Sequence, residues 1–204
     1  MKKLLTAMMM IAALASLRVN ANQYAMVSVF TPGQIPQAQE HLDGVRLNLI
    51  YGDCMSINGL DVGFMGRTRE RFNGLQLAAC NLVGTDARGC QLALLSFVNT
   101  GFQGFQFAPV WNSVKGPAYG FQLGGCNTAA SGAGFQLGLV NLVDDAYAGF
   151  QCSLWNYAGG HVDGFQLGVV NYAGELDGLQ VGLLNFIDQP HPTCYCLPIV
   201  NFGW

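Results

Sequence analysis

The chain has 204 residues, 51% of them hydrophobic and only 10% charged, with 27 glycines. Beyond residue 21, six basic residues (Arg46, Arg67, Arg69, Arg71, Arg88 and Lys115) stand against twelve acidic ones, and a balance of −6 argues against nucleic acid or an anionic membrane held through a basic patch. Such an apolar chain either buries a long continuous core or turns part of its surface to lipid or a partner.

Met1-Lys2-Lys3, an apolar run from Leu4 to Leu17 and the small-residue site Val19-Asn20-Ala21 read as a secretory signal peptide over residues 1–21. The run is 14 residues long, short of the roughly 20 that a membrane-spanning helix needs. Residues 22–43 carry one strand-like run, Tyr24 to Phe30, and a Pro- and Gln-rich connector. This is the cap that a stacked array requires where its first repeat has no neighbour.

Then the repeats begin. Gly44, Gly59, Gly74, Gly89, Gly104, Gly120, Gly134, Gly149, Gly164 and Gly178 recur at steps of 14 to 16 residues, so residues 44–193 read as ten units. Residues 194–204 close the chain, and a shortened eleventh unit is expected to begin near Cys194. With the glycine as position 1, Gln holds position 3 in eight consecutive units: Gln76, Gln91, Gln106, Gln122, Gln136, Gln151, Gln166 and Gln180. Asn closes the apolar run at Asn81, Asn112, Asn127, Asn141, Asn156, Asn171 and Asn185, and Asn201 echoes it. Positions 2 and 4 are apolar, position 5 is small, 6 and 7 are mostly apolar, and a variable connector follows.

Alternation across positions 2 to 4, then a change of phase beside a small residue, describes a strand, a bend, a second short strand and a turn. Two all-β architectures use such a unit. A β-solenoid makes each unit of about 15 residues one coil and stacks identical positions, so that side-chain amides chain donor to acceptor. An up-and-down outer-membrane barrel makes each unit one strand, with Asp-Gly and Asn-Gly hairpins such as Asn73-Gly74 and Asp163-Gly164. Odd and even units do not differ systematically, as a hairpin period would require, and this favours the solenoid. In that reading the Gln and Asn residues form structural ladders. Phe105, Phe121, Phe135, Phe150 and Phe165 at position 2 then form a stacked column inside. Arg46 and Asp61 replace Gln in the first two units, so a change at Arg46 is expected to matter little.

The units G-[FL]-Q-[LV]-G-x-x-N, the connector VFTPGQIPQAQEHLDGVRLNLIYG and the ending LPIVNFGW are similar to those of the bacterial surface-repeat proteins. The resemblance implies a cell-surface or outer-membrane location and a surface or envelope partner, and it brings no catalytic residues with it.

Chemistry-bearing constellations are few. Cys80, Cys90, Cys126 and Cys152 occupy repeat positions otherwise held by apolar residues and read as small buried hydrophobes. Cys194 and Cys196 follow His191 without the further ligands that a metal site needs. Asp86, Asp144, Asp145, Asp163, Glu175, Asp177 and Asp188 scatter through connectors as turn residues. Only Asp163 and Asp177 share a repeat position, the minimum for a solenoid hydrolase acting on carbohydrate. Arg67-Thr68-Arg69-Glu70-Arg71 reads as a solvated loop. The expectation is therefore an exported, non-enzymatic repeat protein with no catalytic residue, metal or cofactor, in a structural or interaction role. An integral barrel acting as a small pore is the alternative.

Overall fold

A computed structural model describes residues 23–30, 33–35, 41–189 and 195–204. The expected signal peptide, His191 and Cys194 lie outside the described residues. Thirteen strands and no helix occur among the described residues: β1 (Gln23–Phe30), β2 (Gly33–Ile35), β3 (His41–Cys54), β4 (Ser56–Thr68), β5 (Phe72–Val83), β6 (Ala87–Leu92), β7 (Leu95–Val98), β8 (Phe102–Leu137), β9 (Val140–Val143), β10 (Tyr147–Cys152), β11 (Trp155–Leu167), β12 (Val170–Ile187) and β13 (Cys196–Gly203).

One coil shows the plan. β6 runs along the first side, Ala93 and Leu94 turn the corner, and β7 returns along the second side. Residues 99–101 then connect to the next coil. Where corner and connector stay extended the strands run together, which gives β8 its 36 residues. Every coil pairs with the next in parallel and in register: Gly149 faces Gly164, Gln151 faces Gln166, and Asn156 faces Asn171. Parallel in-register pairing excludes an antiparallel barrel with one strand per repeat. The chain is a β-solenoid of about nine turns, and the ten equivalent glycines mark their boundaries.

Those glycines are required by the stacking. Gly149 has φ +128°, and a Cβ there would collide with the carbonyl oxygen of Gly134 one coil below. Only a residue without a side chain takes this conformation freely and lets the backbones approach so closely. The local twist also resets the alternation. Positions 15 and 2 both point outward, while positions 14 and 3 both point inward.

The ends differ from the body. β1 adds a parallel strand to β3 and folds back through the short antiparallel β2. β13 lies antiparallel on β12, with Asn201 opposite Gln180, so it is a lid and not the expected eleventh coil. Ile199 in this lid has φ +70°, the one non-glycine residue with positive φ among those described. A β-branched side chain is strained there. The strain falls where the β12–β13 register shifts, between Gly182 and Asn185.

The apolar core occupies only part of the lumen. It is built from the residue two before each glycine, such as Ile57, Phe72, Phe102, Tyr147 and Val162, and from the residue two after each Asn, such as Val83, Val143 and Ala158. Burial pushes the Tyr147 phenol far above its ordinary pKa. The remaining lumen, toward the corner, holds the amides.

Candidate functional surface

The interior amides form two columns. Each Gln from Gln91 to Gln180 donates its Nε2 to Oε1 of the Gln one coil earlier, over seven links of 2.7–3.1 Å. The Asn column runs the other way. Asn112, Asn127, Asn141, Asn156 and Asn171 each donate Nδ2 to Oδ1 of the next, at 2.8–2.9 Å. The second N–H of Asn156 donates to the Leu167 carbonyl at 2.9 Å, strapping the corner of one coil to the next. Asn81 is buried but stands apart. Ser96 takes the place between it and Asn112, and neither amide atom of Asn81 has a partner among the described residues.

The Gln column ends on an ion pair. Gln76 Nε2 donates to Asp61 Oδ2 at 2.8 Å, and Asp61 is gripped by Arg46 through Nε at 2.8 Å and Nη2 at 2.6 Å. Asn48 donates to Asp61 Oδ1, and Arg46 Nη1 donates to the Arg67 carbonyl. Both charged side chains are fully buried. The expectation that Arg46 matters little is therefore wrong. The first two units depart from Gln because they terminate the column.

The outer surface overturns a second expectation. The Phe105–Phe121–Phe135–Phe150–Phe165 column exists, with ring centroids 5.3–5.8 Å apart, but on the outside. Phe135 is 49% exposed, whereas Gln136 beside it is 1% exposed. Alternation separates positions 2 and 3 onto opposite faces and leaves open which face is inner. Amides that satisfy one another in columns lose little on burial, so the Gln side faces in. Cys80, Cys90, Cys126 and Cys152 likewise stand half-buried on outer faces, and desolvation raises the thiol pKa of the first three.

All twenty residues at positions 2 and 4 are Val, Leu, Phe or Cys, from Val45 to Val181, and all point outward. Beyond them the corner carries a ridge with Phe64, Leu94, Leu139, Leu154 and Leu183, each more than half exposed. The second side continues the apolar surface with Trp111, Trp155, Tyr157 and Tyr172, the two tyrosines stacked at 4.9 Å. On the lid, where β13 lies along the first side with Phe202 opposite Leu179, Phe202 stacks on Trp204 at 5.2 Å. Charged side chains that reach the surface lie on the connector edge opposite the ridge, with Arg67 the exception among the described residues.

That edge holds the chemistry-bearing groups. Asp163 and Asp177 do lie one coil apart, and both are exposed. Next to them His161 Nδ1 is 3.5 Å from Glu175. Arg69 grips Asp53 through Nη2 at 2.7 Å, and this bond raises the guanidinium pKa further. A hollow of about 270 Å³ is lined by Arg71, Asn73, Asp86 and Arg88, two guanidiniums against one carboxylate. No group of three or more His, Cys, Asp or Glu side chains that would hold a metal ion occurs among the described residues.

Fold and surface define a class, the β-solenoid with an amide-laddered lumen and an apolar outer wedge. No family model, curated protein or solved structure matches the chain.

Proposed function

We propose that the chain is an exported, non-enzymatic element of the cell surface or outer membrane, acting by binding through its outer apolar wedge. The unbroken apolar row at positions 2 and 4, beside an exposed apolar ridge, carries this reading. Contiguous apolar patches larger than a few hundred Å² mark interaction surfaces. The resemblance to surface-repeat proteins and the signal-peptide pattern support the location. Asp163 and Asp177 stand on an open edge and not in a cleft that would exclude water, which favours binding over hydrolysis.

An epitope inserted between Asp144 and Asp145, both exposed in a connector, tests the location. Intact cells should bind antibody, and the chain should fractionate with the envelope, shortened by its first 21 residues. A full-length chain confined to the cytoplasm would overturn the proposal.

A further inference from the structure

The apolar wedge and the charged edge lie on opposite sides of the coil. From this segregation we propose that the solenoid lies along a zwitterionic lipid surface, its corner ridge in the acyl region and its connectors in water. The inference rests on the surface reading above and names its partner.

Three observations carry it. First, the ridge residues Phe64, Leu94, Val110, Leu139, Leu154 and Leu183 are each more than half exposed, and apolar rows flank them on both sides. A face-to-face dimer through positions 2 and 4 would leave the ridge and the second side in water. A bilayer covers all three together. Second, hydrocarbon tolerates only backbone whose N–H and C=O groups are paired. Parallel pairing from coil to coil supplies this along the wedge, and the corner is included, since Leu139 N donates to the Gly125 carbonyl and Leu154 N to the Leu139 carbonyl. Third, the surface charges are acidic on balance and, Arg67 apart, sit away from the ridge, so anionic headgroups gain little from them. Trp111 and Trp155 beside the ridge suit the headgroup boundary, and Arg67 can extend its guanidinium to the same level. The stacked Phe rings cover one another's faces, leaving edges unsuited to sugar stacking. Nine steps of about 4.8 Å make the contact roughly 43 Å long.

The test is flotation of the purified chain with phosphatidylcholine vesicles. It should float, and in a W111F/W204F variant the Trp155 emission should shift to the blue and be quenched by brominated phosphatidylcholine. Leu139→Gln with Leu154→Gln changes two residues already 60% and 57% exposed, so the β circular-dichroism spectrum should persist. Binding should fall by about tenfold or more for each leucine withdrawn. Replacing a third of the lipid with phosphatidylglycerol should not strengthen binding. Failure to float, with a discrete dimer in solution, would overturn the inference in favour of a second copy. Binding that depends on anionic lipid would also overturn it. A chain found exported that does not float refutes the lipid partner alone, whereas a cytoplasmic chain that floats refutes only the location.

Discussion

At the scale of single residues, Arg46 and Asp61 are the most consequential pair. Two charges at zero exposure are tolerable because four donors converge on one carboxylate: two from Arg46, one from Asn48 and one from Gln76. Removing one partner strands the other, at a cost of about 3–5 kcal/mol. Either Arg46→Gln or Asp61→Gln alone should therefore lower stability strongly in urea unfolding. The double variant extends the Gln column by two amides and should recover most of the loss, giving a large coupling energy in a double-mutant cycle. Gln151→Leu is a milder case. It leaves Gln136 Oε1 without its donor and Gln166 Nε2 without its column acceptor. The expected cost is about 1–3 kcal/mol.

At the scale of the element, the Asn column has a fault that can be repaired. Ser96 is too short to bridge Asn81 and Asn112, so Asn81 and the Oδ1 of Asn112 lack partners among the described residues. Ser96→Asn would let residue 96 accept from Asn81 and donate to Asn112. The adjoining coil already accommodates Ala78 with Asn81, and the repaired coil would pair Ala93 with the new Asn. The variant should gain about 1 kcal/mol for the new hydrogen bonds, read as a raised urea midpoint. A loss would mean that Ser96, which accepts from Gln106 at 2.9 Å, contributes more than the missing links.

The same scale shows what the sequence discloses. Fixed spacing of Gly, Gln and Asn reveals the coil and its register, because in-register stacking alone gives every unit a reason for the same amide at the same place. Which face is inner was not legible. Period-two alternation is symmetric, and hydrophobicity points the wrong way when amides satisfy one another. The decisive signal sits two residues before each glycine, where Ile57, Phe72, Phe102 and Tyr147 fill the lumen. The reset of phase at a positive-φ glycine hides it from a strict alternation count. Arg46 and Asp61 look like degenerate repeats until the terminus of the column is seen.

At the scale of the whole molecule, each coil touches its two neighbours, so stability is close to a sum of like terms. Deleting residues 149–163 removes one turn and brings Ala148 up to Gly164. Those residues already hold equivalent places, since Ala148 pairs with Asp163 and Gly149 with Gly164. The Phe column, both amide columns and the apolar lumen then close across the gap. The shortened chain should fold with an unchanged type of circular-dichroism spectrum and a melting temperature lower by a few degrees. Complete loss of folding would show that a coil is not an independent increment.

The meeting of the Gln column with Asp61 has a consequence for order over distance. An ionised carboxylate only accepts hydrogen bonds. It therefore obliges Gln76 to present its NH₂, which turns the Gln76 oxygen toward Gln91, and the same choice passes from coil to coil to Gln180. A single reversed amide would set two oxygens face to face on one side and two NH₂ groups on the other. All eight side chains thus share one orientation, written by one residue at the far end. Their peptide-like dipoles add head to tail as those of a helix do, with the positive end resting on Asp61. The Asn column, oriented oppositely alongside, returns much of that field. The lumen is a pair of opposed polar rows, and the sense of the Gln row is set at one coil and read at the last.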